Sequence, residues 1–286
     1  MKKLVVYLIF AFGLAWLLQG VAIIGFNNGN SLLYTGALTI SMFAPMAAAF
    51  ISGAKMRELG WMPDILHKWK YFLIAWFMPA VLGIIGAGLY FIIFPNSFDP
   101  TMSNIGMQLG EEGLKALEEA GMSLTTVSLI SAAASLTWAP VVNMLAAIGE
   151  EAGWRGVMNP ILKDKFGKLG GRIISGIIWG AWHWPIMIFT GYEYGTGYWG
   201  EPFSGMIAFC IFTTAIGIIM DWLYDKSECI WTPALFHGAV NAFAGIPILV
   251  LNPAYGKMLI LGPLMIGLIS GIPIFLTAAF IAVKDR

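Results

Sequence analysis

An all-α, polytopic membrane bundle is the fold class this sequence predicts, and three observations predict it. Of 286 residues, 58% are hydrophobic and only 11% charged, against roughly 25% charged in a soluble domain. The apolar residues gather into about eight runs, each near the ~20 residues that cross a hydrocarbon core. The basic residues fall almost entirely to one side of those runs. The chain reads as a single membrane-embedded domain over 1–286.

The first run, 4–25, follows Met1-Lys2-Lys3. It is long, and no small-x-small cleavage site follows it, so it reads as a retained span and not a signal peptide. Asn27-Asn28-Gly29-Asn30 is a turn into the second run, 31–53. A basic stretch leads to the third, 71–94. Helices within 1–95 flank the rest and carry no chemistry-bearing motif. Segment 95–126 is an acidic extracytoplasmic loop, with Asp99, Glu111, Glu112, Glu118 and Glu119 against Lys115. Its stretch 104–120 has the pattern of an amphipathic surface helix. The remaining runs are 127–149, 173–190, 203–223, 230–251 and 258–283. Between the fourth and fifth, Asn159-Pro160 and Gly170-Gly171 mark a short interfacial helix and a turn.

Charge sets the expected orientation. With both termini in the cytoplasm, fourteen basic residues lie inside: Lys2, Lys3, Lys55, Arg57, Lys68, Lys70, Arg155, Lys163, Lys165, Lys168, Arg172, Lys226, Lys284 and Arg286. Only Lys115 and Lys257 lie outside. The bias supports an even number of spans; the expected location is the plasma membrane of a prokaryote. A formal net charge of zero gives no sign of a nucleic-acid partner; the partners implied are membrane lipid and whatever the interior binds. Cys210 and Cys229 have neither zinc-knuckle nor disulfide-framework spacing and read as free thiols.

Within the core, about 127–251, polar side chains interrupt the apolar runs. Such groups are expensive in lipid, about 2.5–3.5 kcal/mol for a central charge on the mildest scale, so their convergence points to function. Glu150-Glu151-x-x-x-Arg155 closes the fourth run. Neighbours on a helix diverge by about 100°, so the two carboxylates have different jobs. Glu151 and Arg155, at i and i+4, can pair. Glu150 is left to face the interior, where a carboxylate short of water is a plausible proton acceptor; a solvated helix end is the plainer alternative. His183 lies in Trp179-Gly180-Ala181-Trp182-His183-Trp184-Pro185. Pro185 cannot donate to the Ala181 carbonyl, so the helix should open beside the imidazole. His237 and Asn241 share a helix face, placed either to address one oxygen or to serve as interhelical hydrogen-bond glue. His67, in a basic loop, carries no chemistry.

Together these motifs resemble the CPBP family of intramembrane proteases, also called the Abi or type 2 CAAX prenyl protease family. Its pattern is Glu-Glu-x-x-x-Arg, an aromatic-x-x-x-His, and His-x-x-x-Asn or Asp on successive helices. Here it reads Glu150-Glu151-Ala152-Gly153-Trp154-Arg155, Trp179-Gly180-Ala181-Trp182-His183 and His237-Gly238-Ala239-Val240-Asn241. Trp179 stands where the family often has Phe. The resemblance implies intramembrane hydrolysis of a peptide bond, in a peptide or lipidated-peptide substrate, near the cytoplasmic side. It implies Glu150 as general base with His183 assisting, His237 and Asn241 stabilising the oxyanion, and Glu151 and Arg155 in support.

No cofactor is favoured. The alternative is zinc on Glu150, His183 and His237, a two-histidine, one-glutamate set with water in the fourth place. There is no His-Glu-x-x-His, no Gly-x-Ser-Gly and no Gly-x-Gly-Asp, which leaves zincin, rhomboid and aspartyl readings without support. Two other functions compete: a non-catalytic membrane immunity or scaffold protein, and a small-solute transporter. The transporter lacks an internal repeat. One tension stands out: Glu150 falls at the cytoplasmic edge of its run while His183 falls deep, so a cytoplasm-facing or laterally open cavity is expected to bring water to Glu150.

Overall fold

The computed structural model describes residues 2–285. Twelve α-helices run through it: α1 Lys2–Asn27, α2 Ser31–Ser41, α3 Ala44–Ile51, α4 Ile65–Ile93, α5 Ser103–Glu119 and α6 Leu124–Leu136. They continue as α7 Ala139–Gly153, α8 Asn159–Trp182, α9 Trp184–Thr190, α10 Phe203–Ser227, α11 Trp231–Phe243 and α12 Ile272–Lys284. No strand occurs among the described residues, only an isolated bridge between Phe98 and Leu251. The fold is an all-α membrane bundle. Six helical stretches are long and apolar enough to cross a membrane, and α6 and α12 are shorter apolar helices. The chain is therefore an integral, multi-pass membrane protein.

α10 packs against α8, α12, α11 and α4; α11 packs against α7 and α4; α1 packs against α2, α3 and α9. The core between them is mostly Ala, Leu, Ile, Phe and Trp. α5 covers much of the stretch that reads as an amphipathic surface helix, and it breaks at Gly110, where φ is +65°.

The hydropathy runs and the helices differ where proline and glycine intervene. The run 127–149 is two helices, α6 and α7. Pro140 cannot donate a hydrogen bond to the Leu136 carbonyl, and the Trp76 indole on α4 takes that carbonyl instead, at 3.0 Å. The run 258–283 is helical only from Ile272. Pro263 and Gly262, Gly267 and Gly271 break its first half, which a sliding hydropathy window does not register.

The stretch after Glu150 differs most. Instead of an interfacial helix and a turn at Gly170-Gly171, helix continues through a π-turn at Trp154–Met158 and on to Gly167. There φ is +74° and ψ is 166°, a region open essentially to glycine alone. The chain folds back at that point. Lys163 before the turn and Arg172 after it both reach Asp221 of α10, at 2.9 and 2.6 Å. Asn159 joins them at 2.9 Å, and Lys168 and Arg172 hold Asp285 at 2.7 and 2.9 Å. Gly167→Ala is expected to cost about 1–3 kcal/mol, read as a lower unfolding midpoint in detergent; an unchanged midpoint would show that the turn tolerates another conformation.

This hairpin resolves the tension over depth. Glu150 lies seventeen residues before Gly167 and His183 sixteen after it. At 1.5 Å per residue both stand about 25 Å from the turn.

Candidate active site

The end of α7 carries two carboxylates that do different things. Glu151 is fully buried and Arg155 is 1% exposed, and Arg155 Nη1 lies 2.9 Å from the Glu151 carboxylate. Buried charges persist only when paired. Glu151 has a second partner: its Oε1 is 2.9 Å from His237 Nδ1 on α11. One carboxylate thus ties α7 to α11.

Glu150 lines a cavity of about 160 Å³, room for several waters by the ~15 Å³ that one requires. Its Oε2 accepts the indole N–H groups of Trp179, at 2.7 Å, and Trp154, at 3.2 Å. Among the described residues Oε1 has no protein partner. Two indoles therefore fix the carboxylate's plane and leave one oxygen for solvent or substrate.

Trp179 is the hub of the site. Its ring lies under the Arg155 guanidinium at 4.6 Å, where a cation–π attraction operates. It meets the His237 ring edge-on at 5.3 Å. The aromatic found here in place of the family's frequent Phe thus supplies a donor that Phe lacks. Trp179→Phe is expected to lower kcat roughly 10–100-fold, the equivalent of a lost hydrogen bond to a charged group, with little change in KM. A wild-type kcat would show that the indole bond does not orient Glu150.

His183 sits at the break between α8 and α9. Its Nδ1 is 3.0 Å from the Trp179 carbonyl. A carbonyl only accepts, so Nδ1 carries a proton and, in the neutral ring, Nε2 is the basic nitrogen. The break is bridged from α1. The Gln19 amide donates to the Trp182 carbonyl at 3.0 Å and accepts from the Ile186 N–H at 3.4 Å. It stands in for the helical bond those two groups would otherwise make. The Trp16 indole also donates to the Trp182 carbonyl, at 3.1 Å.

His237 and Asn241 both line the cavity. His237 is 6% exposed, whereas Asn241 is exposed and its side chain makes no protein hydrogen bond among the described residues. Gly238, next to His237, allows α11 this close to α7: a Cβ there would collide with the Pro140 carbonyl oxygen.

The structure thus brings Glu150, His183, His237 and Asn241 to one cavity and sets the Glu151–Arg155 pair behind it. Sequence reasoning missed Gln19, Trp154 and the second role of Glu151. Gln19 is the one amide side chain in the run 4–25, and that oddity was the available signal. The cavity extends along α1 on the side away from its N-terminal end. Trp182 bonds the Ala11 carbonyl at 3.1 Å, and Ile186 packs on Ala22. α9 therefore follows α1 away from Lys2 and Lys3. The lining runs on to Tyr192 and Glu193, beyond Thr190 and toward the α1–α2 turn.

The zinc alternative has its ligand types in this cavity, but they do not form a ligand set as placed. Among the described residues no three His, Cys, Asp or Glu side chains are grouped to hold a metal ion. Glu150 has one oxygen committed to two indoles.

Residues 132–243 match the family model described as Type II CAAX prenyl endopeptidase Rce1-like. A curated relative, "CAAX prenyl protease 2" of Methanococcus maripaludis, is 30% identical over 99 residues. The alignment takes in 34% of this chain and 36% of the relative, so the chain matches about a third of that protein's length. The segment matched by the family model contains all three motifs and five of the helices that build the cavity, α7 to α11. Over this motif-bearing core the chain is similar to the CPBP, or type II CAAX protease, family.

Proposed function

We propose that the protein is an intramembrane endopeptidase that hydrolyses a peptide bond inside this cavity. The observation that supports the reading most is the convergence of Glu150, His183, His237 and Asn241 on one hollow with room for water. Three separate helical stretches contribute them.

In this reading a water binds between Glu150 Oε1 and His183 Nε2. Glu150 takes its proton as the oxygen attacks the scissile carbonyl. The negative charge that develops on the carbonyl oxygen is met by His237 and by the Asn241 amide. Glu150 then returns the proton to the amide nitrogen as the C–N bond breaks. His237 already gives its Nδ1 proton to Glu151, so it can donate from Nε2 only as the imidazolium. Glu151, on the ring's far side, stabilises that form. Arg155 shares the same carboxylate.

The substrate is a peptide or lipidated peptide reached within the membrane, and the cell envelope is that of a prokaryote with both termini cytoplasmic. The test is a peptide-library cleavage assay on purified protein in detergent, run with and without a chelator. Cleavage that persists in chelator is the expected result. Cleavage lost with chelator and regained with zinc would replace the water-activating role assigned to Glu150 alone. Absence of any cleavage would remove the reading.

A further inference from the structure

The catalytic scheme leaves one carboxylate of the cavity unused. Glu193 lies in the connection between α9 and α10 and lines the same hollow as Glu150. Its backbone has φ +75°, a conformation that costs a side-chain-bearing residue about 1–3 kcal/mol and is typical of functional positions. In the same connection Gly191, Gly195, Gly197 and Gly200 also have positive φ. Glycine meets that demand freely, so Glu193 alone carries a side chain at the strain, and that side chain reaches the cavity.

Nothing within the described residues neutralises it. It makes no ion pair among them, and no Lys or Arg lines the cavity. Arg155, the cation behind the wall, is bound to Glu151. The groups around Glu193 are the tyrosines Tyr34, Tyr192 and Tyr194. Burial raises its carboxyl to about 7, partly opposed by the Tyr192 hydroxyl. A cation arriving beside it would favour the ionised form and gain a partner not otherwise present.

We propose that Glu193 is a specificity-determining residue that receives a positively charged group of the substrate, a lysine or arginine side chain or a free α-ammonium. This rests on the endopeptidase reading and deepens it. Aromatic walls support it: Tyr192 stacks on His183 at 6.2 Å with an interplanar angle of 5°. The surface between the two carboxylates is therefore continuous from the hydrolytic centre to the cation site.

The experiment measures peptide binding and cleavage with full-length protein in detergent. The peptides carry a basic, neutral or acidic residue at each position near the scissile bond, each with a free or acetylated amino terminus. Binding is read in Glu150→Gln and in Glu150→Gln combined with Glu193→Gln or Glu193→Asp. Glu150→Gln should bind basic peptides about tenfold more tightly than neutral ones. Adding Glu193→Gln should bring that ratio near one, and adding Glu193→Asp should keep most of it. A preference lost on acetylation assigns the cation to the α-ammonium, and one that survives assigns it to a side chain. No preference in Glu150→Gln, or an unchanged one after Glu193→Gln, overturns the proposal. Cleavage is read in the otherwise wild-type chain. If it cleaves no peptide while the binding ratio behaves as described, the endopeptidase reading fails and the cation site stands.

Discussion

Replacing Glu150 by glutamine is expected to reduce peptide cleavage by about 10²–10⁴-fold, the range that general-base catalysis contributes. The substitution keeps a carbonyl oxygen for the two indoles that bind Oε2 and removes only the capacity to accept a proton. The unfolding midpoint should therefore stay close to wild type. Both measurements are needed, because a loss of cleavage with a collapsed midpoint would reflect structure and not chemistry. Normal turnover by the folded variant would defeat the role assigned to Glu150.

Glu151→Ala should behave in the opposite manner. It leaves Arg155, 1% exposed, without its anionic partner, and it strips the acceptor from His237 Nδ1. Breaking a buried pair by removing one member costs about 3–5 kcal/mol. The expected result is a clear fall in thermal stability together with lost cleavage. Removing the charge on both sides, with Glu151→Met and Arg155→Met together, should restore much of the stability, since apolar replacements of a buried pair are often neutral. It should not restore cleavage, because His237 would still lack its partner. A stability loss confined to Glu150 variants would exchange the two roles.

The separation of those two carboxylates is legible in the sequence, because a helix sends adjacent side chains about 100° apart. The opening at His183 is legible too, because Pro185 removes a helical donor. The way the broken ends are satisfied is not. Gln19 lies more than 160 residues away in the chain, and nothing in a local pattern connects it to Trp182. The fold-back at Gly167 is hard to place for a related reason. Gly167, Gly170 and Gly171 are all candidates for a turn, and only the ion pairs of Lys163 and Arg172 with Asp221 select the first. Half of the last apolar run is irregular because Gly262, Pro263, Gly267 and Gly271 outweigh its hydropathy. The side chains of Leu264, Met265 and Ile266 from that irregular stretch line the cavity.

The near-equal arms on either side of Gly167 make the depth of the reacting groups a matter of chain length. One residue inserted in a single arm slides its side chain by about 1.5 Å and swings it through about 100°, so base and imidazole would lose sight of each other. Whole turns added to both arms together would carry the pair further from the bend while keeping them face to face. On the endopeptidase reading proposed above, the hairpin is in effect a gauge that sets how far into the bilayer a peptide must be drawn before it can be cut.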